Sequence, residues 1–122
     1  MTTGATHPPY SMTLFEKIAA REIPADIIYE DEACLCFRDI APKAPVHVLL
    51  VPKKPIPRLG LAEPEDQELL GHLFSRIRVI AEQEGVAESG FRVIVNNGPD
   101  GGEEVPHLHI HLLGGRQMRG LG

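Results

Sequence analysis

Apolar residues recur along this chain with two periods, and the switches between them predict where helices and strands lie. Leu14, Phe15, Ile18 and Ala19 share one stripe of a short helix over residues 13–20. Thr13 suits its N-cap, with Glu16 spaced for a capping box, and Pro24 closes the segment. Runs of strand length follow at 26–30, 33–38 and 46–51, the last kept short by Pro45 and Pro52. A helical turn is expected over 58–61. Over 64–84 the period becomes helical again: Leu69, Leu70, Leu73, Phe74, Ile77, Ile80 and Ala81 form one wide apolar face. Pro64 suits the first turn, Glu65, Asp66 and Glu68 meet the positive end of the helix dipole, and Gly85 suits the C-terminal cap. Gly71 costs this helix about 1 kcal/mol against alanine, which close approach of another backbone would explain. A strand over 91–96, a glycine-rich loop over 97–102 and a last strand over 107–113 complete the chain before Gly114 and Gly115. The order predicts an α+β domain: a five-stranded, mostly antiparallel sheet with one short N-terminal helix and one long helix.

The last strand carries the most specific signal. His107, His109 and His111 alternate with Leu108, Ile110 and Leu112, so three imidazoles share one face and three aliphatic side chains the other. An imidazole titrates near neutrality and serves as nucleophile, base or metal ligand. One zinc ion can bridge two neighbours, but at ~3.3 Å rise per residue His107 and His111 start about 13 Å apart, too far for one ion to take all three. A polar outer face that happens to be histidine-rich is the plain alternative, although such faces normally mix Lys, Glu and Thr. Nucleophilic catalysis at phosphorus uses the row more fully. A neutral imidazole attacks without prior ionisation and departs readily when water attacks the adduct. A neighbouring histidine exchanges protons with phosphate or leaving group. The glycine-rich loop can turn backbone N–H groups toward phosphate oxygens, and Asn96 adds a side-chain donor.

Size and composition narrow the classes. The 122 residues fit one domain with its own core, expected over 12–122 after a loose tail at 1–11. A net charge of −5 argues against a nucleic-acid groove but not against a small phosphate-bearing ligand at a locally positive site. Cys34 and Cys36 are too few for a disulfide framework and read as small buried residues. No apolar run approaches the ~20 residues needed to cross a bilayer, and no signal pattern opens the chain, so a cytoplasmic location is expected. His7 and His72 attract no functional assignment, and Lys53 and Lys54 read as a solvated corner.

The H-x-H-x-H-x-x pattern with aliphatic x resembles the signature of the histidine-triad superfamily. Further blocks agree with its Hint branch, the histidine-triad nucleotide-binding proteins: residues 15–24, residues 34–54 with Phe37, Asp39, Ala41, Pro42 and His47, and the ending Gly114, Gly115, Arg116, Gln117, Met118. The resemblance covers about residues 13–118. It implies a purine nucleotide-binding hydrolase that cleaves P–N bonds of nucleoside phosphoramidates. His109 would attack the α-phosphorus and form a covalent nucleotidyl-histidine. His107 and His47 would orient His109, and His111 would contact phosphate or leaving group. Asp39 would hold the ribose hydroxyls. Ile40, Phe37, Leu14, Phe15, Ile18 and Ile23 would line the base pocket, and Asn96 with Gly102, Glu103, Glu104 and Val105 would hold the phosphate. The implied mechanism needs no metal or other cofactor. The implied assembly is a two-fold homodimer with paired long helices and a joined ten-stranded sheet. Hydrolysis of dinucleoside polyphosphates and non-catalytic nucleotide binding are the rival functions. The chain departs from the family pattern at Glu103, where glutamine is usual, at Glu104, often Ser or Thr, at Pro106, usually aromatic, and at Pro55, a histidine in some relatives. A carboxylate at 103 would repel phosphate unless it turns away or stays protonated.

Overall fold

A computed structural model describes residues 12–122; the tail read over residues 1–11, with His7, lies outside the described residues. Helix α1 (Leu14–Ala19) leads into strands β1 (Ile27–Glu30), β2 (Cys34–Arg38) and β3 (Val46–Pro52). Helix α2 (Gln67–Gln83) follows, then β4 (Phe91–Ile94) and β5 (Ile110–Gly114). The strands form one sheet in the order β1-β2-β3-β5-β4, and every neighbouring pair is antiparallel. This is the five-stranded α+β architecture that the apolar pattern predicts.

Strand periodicity sorts the core into two layers. Cys34 and Cys36 on β2, Val48 and Leu50 on β3, and Ile110 and Leu112 on β5 turn to one face, where they pack with Leu73, Ile77, Ile80 and Ala81 of α2. Leu35, Phe37, Leu49 and Val51 turn to the other face and pack with Phe15 and Ile18 of α1. The two cysteines are free and buried, with both thiols pushed up to about 12 by burial, as small core residues should be.

The ends of the helices follow their cap chemistry. Thr13 Oγ1 accepts the Glu16 N–H at 3.0 Å, and the Glu16 carboxylate accepts the Thr13 N–H at 2.8 Å, which closes the capping box. Pro64–Asp66 forms a 3-10 turn ahead of α2. At its far end Gly85 has φ +77°, and the N–H groups of Gly85 and Val86 donate to Glu82 and Ala81. That is a Schellman ending. A Cβ on Gly71 would meet nothing within the described chain, so no intrachain backbone approach explains that glycine.

Two strands are shorter than their sequence patterns suggest. The ladder of β5 starts at Ile110, opposite Leu50, whereas a strand from residue 107 was expected. Continuing that register would set Pro52 opposite Leu108, and proline has no N–H to offer. The Leu108 N–H donates instead to the Ile56 carbonyl at 2.7 Å, and the His107 N–H to Val105 at 2.8 Å. Strand β4 ends at Ile94 rather than residue 96, and the Asn96 amide instead donates to the Gly101 carbonyl at 2.7 Å. No helix of the described residues is long and apolar enough to cross a membrane.

Candidate active site

A cavity of about 480 Å³ opens on the α1 side of the sheet, large enough for a nucleotide-sized molecule. Leu14, Phe15, Ile18, Ile23 and Phe37 supply an apolar wall. Ile40, 99% exposed, stands at its rim. Asp39, His47, Asn96, Gly102, Glu104, Val105, His109 and His111 supply the remaining expected lining. The two expected residues outside the lining are His107 and Glu103. Arg38, Lys43, Leu49, Ile94 and Leu113 also line it, and no sequence motif singled them out.

Phe15 links the rings of the triad although only His111 belongs to the ladder of β5. The ring of Phe15 stands edge-on to His109 at 5.0 Å between centroids and near His107 at 5.5 Å, and His109 stands edge-on to His111 at 5.0 Å. Helix α1 thereby forms one side of the row.

The hydrogen bonds of this row fix the tautomers. His107 Nε2 faces the Pro52 carbonyl at 2.8 Å, and a carbonyl only accepts, so Nε2 carries the proton. Its Nδ1 then accepts from Thr13 Oγ1 at 2.7 Å. Burial holds the His107 pKa below its ordinary value, in keeping with this neutral form. His109 Nδ1 donates to the His107 main-chain carbonyl at 2.7 Å. The lone pair of His109 is therefore on Nε2. His107 contacts its neighbour through its carbonyl, while its own ring is turned away and almost fully buried.

His47 has a different partner from the one expected. Its Nδ1 accepts the Lys43 N–H at 3.0 Å, so its proton lies on Nε2, which donates to His111 Nδ1 at 2.9 Å. That places the His111 proton on Nε2. His47 thus orients His111, and His109 is held by the His107 carbonyl. Burial, with His109 and His47 as near neighbours, pushes His111 down to about 4, and burial also lowers His47. Both are neutral at pH 7.

Polar groups flank the row. Asp39 Oδ1 accepts the Ala41 N–H at 2.8 Å, while Oδ2 lies 3.5 Å from His47 Nε2. Asp39, His47 and His111 also present donor atoms within 4.8 Å of one another, the one metal-sized group among the described residues on this face. Both His47 nitrogens are already engaged there. Gly102 has φ +79°, a conformation that favours glycine, and it ends the 3-10 turn Pro99–Gly101 beside the cavity. Glu103 turns away from the cavity. Its Oε1 accepts the Gly98 N–H at 2.8 Å, and its Oε2 accepts from Arg58 Nη2 at 3.0 Å. Arg58 is a residue that the sequence pattern did not reveal, because nothing local links positions 58 and 103.

With sheet, histidine row and cavity in place, the comparisons agree on a class: the chain belongs to the HIT domain family, whose model matches residues 20–118. It is 48% identical over 106 residues to the purine nucleoside phosphoramidase of Escherichia coli, covering 87% of this chain and 89% of that protein. It is 47% identical over 116 residues to the adenylylsulfatase HINT1 of Arabidopsis thaliana, covering 93% of this chain and 78% of that protein. Among solved structures, the crystal structure of a HIT family hydrolase from Legionella pneumophila superposes with a TM-score of 0.85 at 48% identity, over 87% of this chain and 95% of that one.

Proposed function

We propose that the protein is a purine nucleotide-binding hydrolase that cleaves the P–N bond of nucleoside phosphoramidates, with His109 as nucleophile. The observation that carries this reading is the bond from His109 Nδ1 to the His107 carbonyl, which commits the ring to a nucleophilic Nε2 at the cavity. In the first step Nε2 bonds to the α-phosphorus and the P–N bond breaks. The electron pair leaves with the amine, which takes a proton from water. The adduct is a cationic imidazolium, and the His107 carbonyl dipole stabilises that charge through Nδ1–H. In the second step water attacks phosphorus and the Nε2–P bond breaks. The nucleoside monophosphate departs, neutral imidazole returns, and the spare proton passes to solvent. His111, neutral with its proton on Nε2, is suited to donate a hydrogen bond to a phosphoryl oxygen or the departing nitrogen. Asp39 Oδ2 is suited to accept from a ribose hydroxyl, and the Gly102 loop to offer N–H groups to phosphate.

The E. coli relative is named a purine nucleoside phosphoramidase, which fits this substrate class. The same reading includes a two-fold homodimer, supported by the outer edge of β4, which pairs with no strand among the described residues, and by Phe91 and Phe74, large apolar side chains left exposed. The test is hydrolysis of an adenosine phosphoramidate beside a dinucleoside tetraphosphate, with and without chelator. Cleavage of the phosphoramidate that survives chelator and vanishes in His109→Ala supports the reading. Cleavage of the dinucleotide alone moves the protein to polyphosphate hydrolysis. AMP binding with turnover of neither makes it a nucleotide-binding scaffold.

A further inference from the structure

On the opposite face of the sheet from the histidine row, Asp31, Cys34 and His72 converge from three places in the chain. Asp31 sits in the turn between β1 and β2, Cys34 begins β2, and His72 lies in the second turn of α2. Their oxygen, sulfur and nitrogen donor atoms all fall within 4.8 Å of one another. We propose that these three side chains form a second, non-catalytic site for a zinc-like divalent ion, with water as the fourth ligand. The site is independent of the proposed hydrolysis.

The geometry is close to what such an ion needs. Zinc bonds at about 2.0–2.3 Å to these atoms, so tetrahedral ligand atoms stand roughly 3.3–3.7 Å apart. Cys34 Sγ lies 3.4 Å from Asp31 Oδ1 already. His72 Nε2 lies 2.7 Å from the other oxygen, Asp31 Oδ2, so an ion held through one oxygen takes up one of these spacings as it stands and the remaining ligand must shift to meet it. The carboxylate is pre-positioned, because Asp31 Oδ1 accepts the Ala33 and Cys34 N–H groups at 2.8 and 2.9 Å. The sulfur is fully buried, whereas His72 and Asp31 keep 37% and 26% of their side chains exposed. An ion can thus enter from the α2 side and keep a water facing solvent. The ligand set selects the metal: thiolate with imidazole suits zinc or cobalt(II) and disfavours magnesium and calcium.

The charges around the cluster set its pH behaviour. Asp31 is ionised: burial works against its charge, but hydrogen bonds from Tyr29, His72 and the two amides outweigh it and hold it well below the usual carboxylate range. Tyr29 donates to Asp31 Oδ2 at 2.7 Å, Arg76 lies beside Tyr29, and Lys53 nearby is paired with Glu30 at 2.9 Å. The ion replaces the thiol proton of Cys34, which goes to solvent, and the His72 proton moves from Nε2 to Nδ1. Because the thiol must give up its proton when the ion binds, affinity should tighten as pH rises.

The test is titration of the metal-free full-length protein with cobalt(II), followed by the near-ultraviolet thiolate-to-cobalt charge-transfer band. A histidine-only site at the triad cannot give that band. The expected result is one cobalt per chain with the band present, its loss in both Cys34→Ser and His72→Ala, and its retention in Cys36→Ser and in His109→Ala/His111→Ala. Circular dichroism checks that each variant is folded, and His72→Ala, at a half-exposed position, keeps the test open if Cys34→Ser does not fold. Absence of the band, its survival in His72→Ala, or its loss in the triad variant overturns the proposal.

Discussion

The Glu103 carboxylate is clasped between Arg58 and the Gly98 amide, with Arg58 Nη2 at 3.0 Å from one oxygen and the Gly98 N–H at 2.8 Å from the other. Its side chain is only 8% exposed, so the pair fastens the cavity loop to the segment ahead of α2. Arg58→Ala leaves that carboxylate nearly buried without its cation. Arg58 itself is about one-third exposed, which moderates the cost to about 1–2 kcal/mol. Glu103→Gln keeps an oxygen for Gly98 and should cost less than Arg58→Ala. Urea unfolding of the two variants checks that order, and a reversed order would show that Glu103 is held chiefly by partners other than Arg58.

Thr13 has two tasks, capping α1 and bonding His107 Nδ1. Thr13→Val should cost about 1–3 kcal/mol, from the lost cap and the unpaired ring nitrogen. It should also lower phosphoramidate turnover, because the His107 carbonyl holds His109. Thr13→Ser should restore both. Equal thermal loss with unchanged kcat would separate the cap from the site.

His111 sets an acid limit on stability. Its folded pKa of about 4 lies below the ordinary 6.5, so between those values the unfolded chain binds a proton that the folded chain does not. Stability is therefore full above about pH 6.5 and falls as pH drops toward 4. His47 and His107, also lowered by burial, add in the same direction. Urea midpoints measured at pH 7 and pH 4.5 should drop at the lower pH, and His111→Asn should flatten part of that slope.

If β4 pairs with its counterpart in a second copy, Phe91→Glu places a charge at the joint. Light scattering after gel filtration should then give a dimer for the wild type and a monomer for the variant. A monomeric wild type would remove the assembly from the proposed function.

Local signals were legible wherever neighbours in sequence decide the outcome. The capping box at Thr13, the Schellman ending at Gly85 and the two faces of β2, β3 and β5 all follow from spacing alone. Most of the expected cavity lining also comes together. What was not legible depends on partners far along the chain. The start of β5 is set by Pro52 more than fifty residues earlier, the tautomer of His107 by Pro52 and Thr13, and the role of His47 by the ring it meets on β5. The clasp on Glu103 joins positions 45 residues apart. An alternating pattern gives the face of a side chain but not its partner.

Ile40 stands in water at the rim above a wall made of Leu14, Phe15, Ile18, Ile23 and Phe37. None of these side chains carries a hydrogen-bonding edge. A flat ring settling there would be held by expelled water, with calorimetry recording a negative change in heat capacity. Such a wall measures thickness and shape and reads no pattern of donors and acceptors, so any choice between one flat ring and another falls to the polar lining around it.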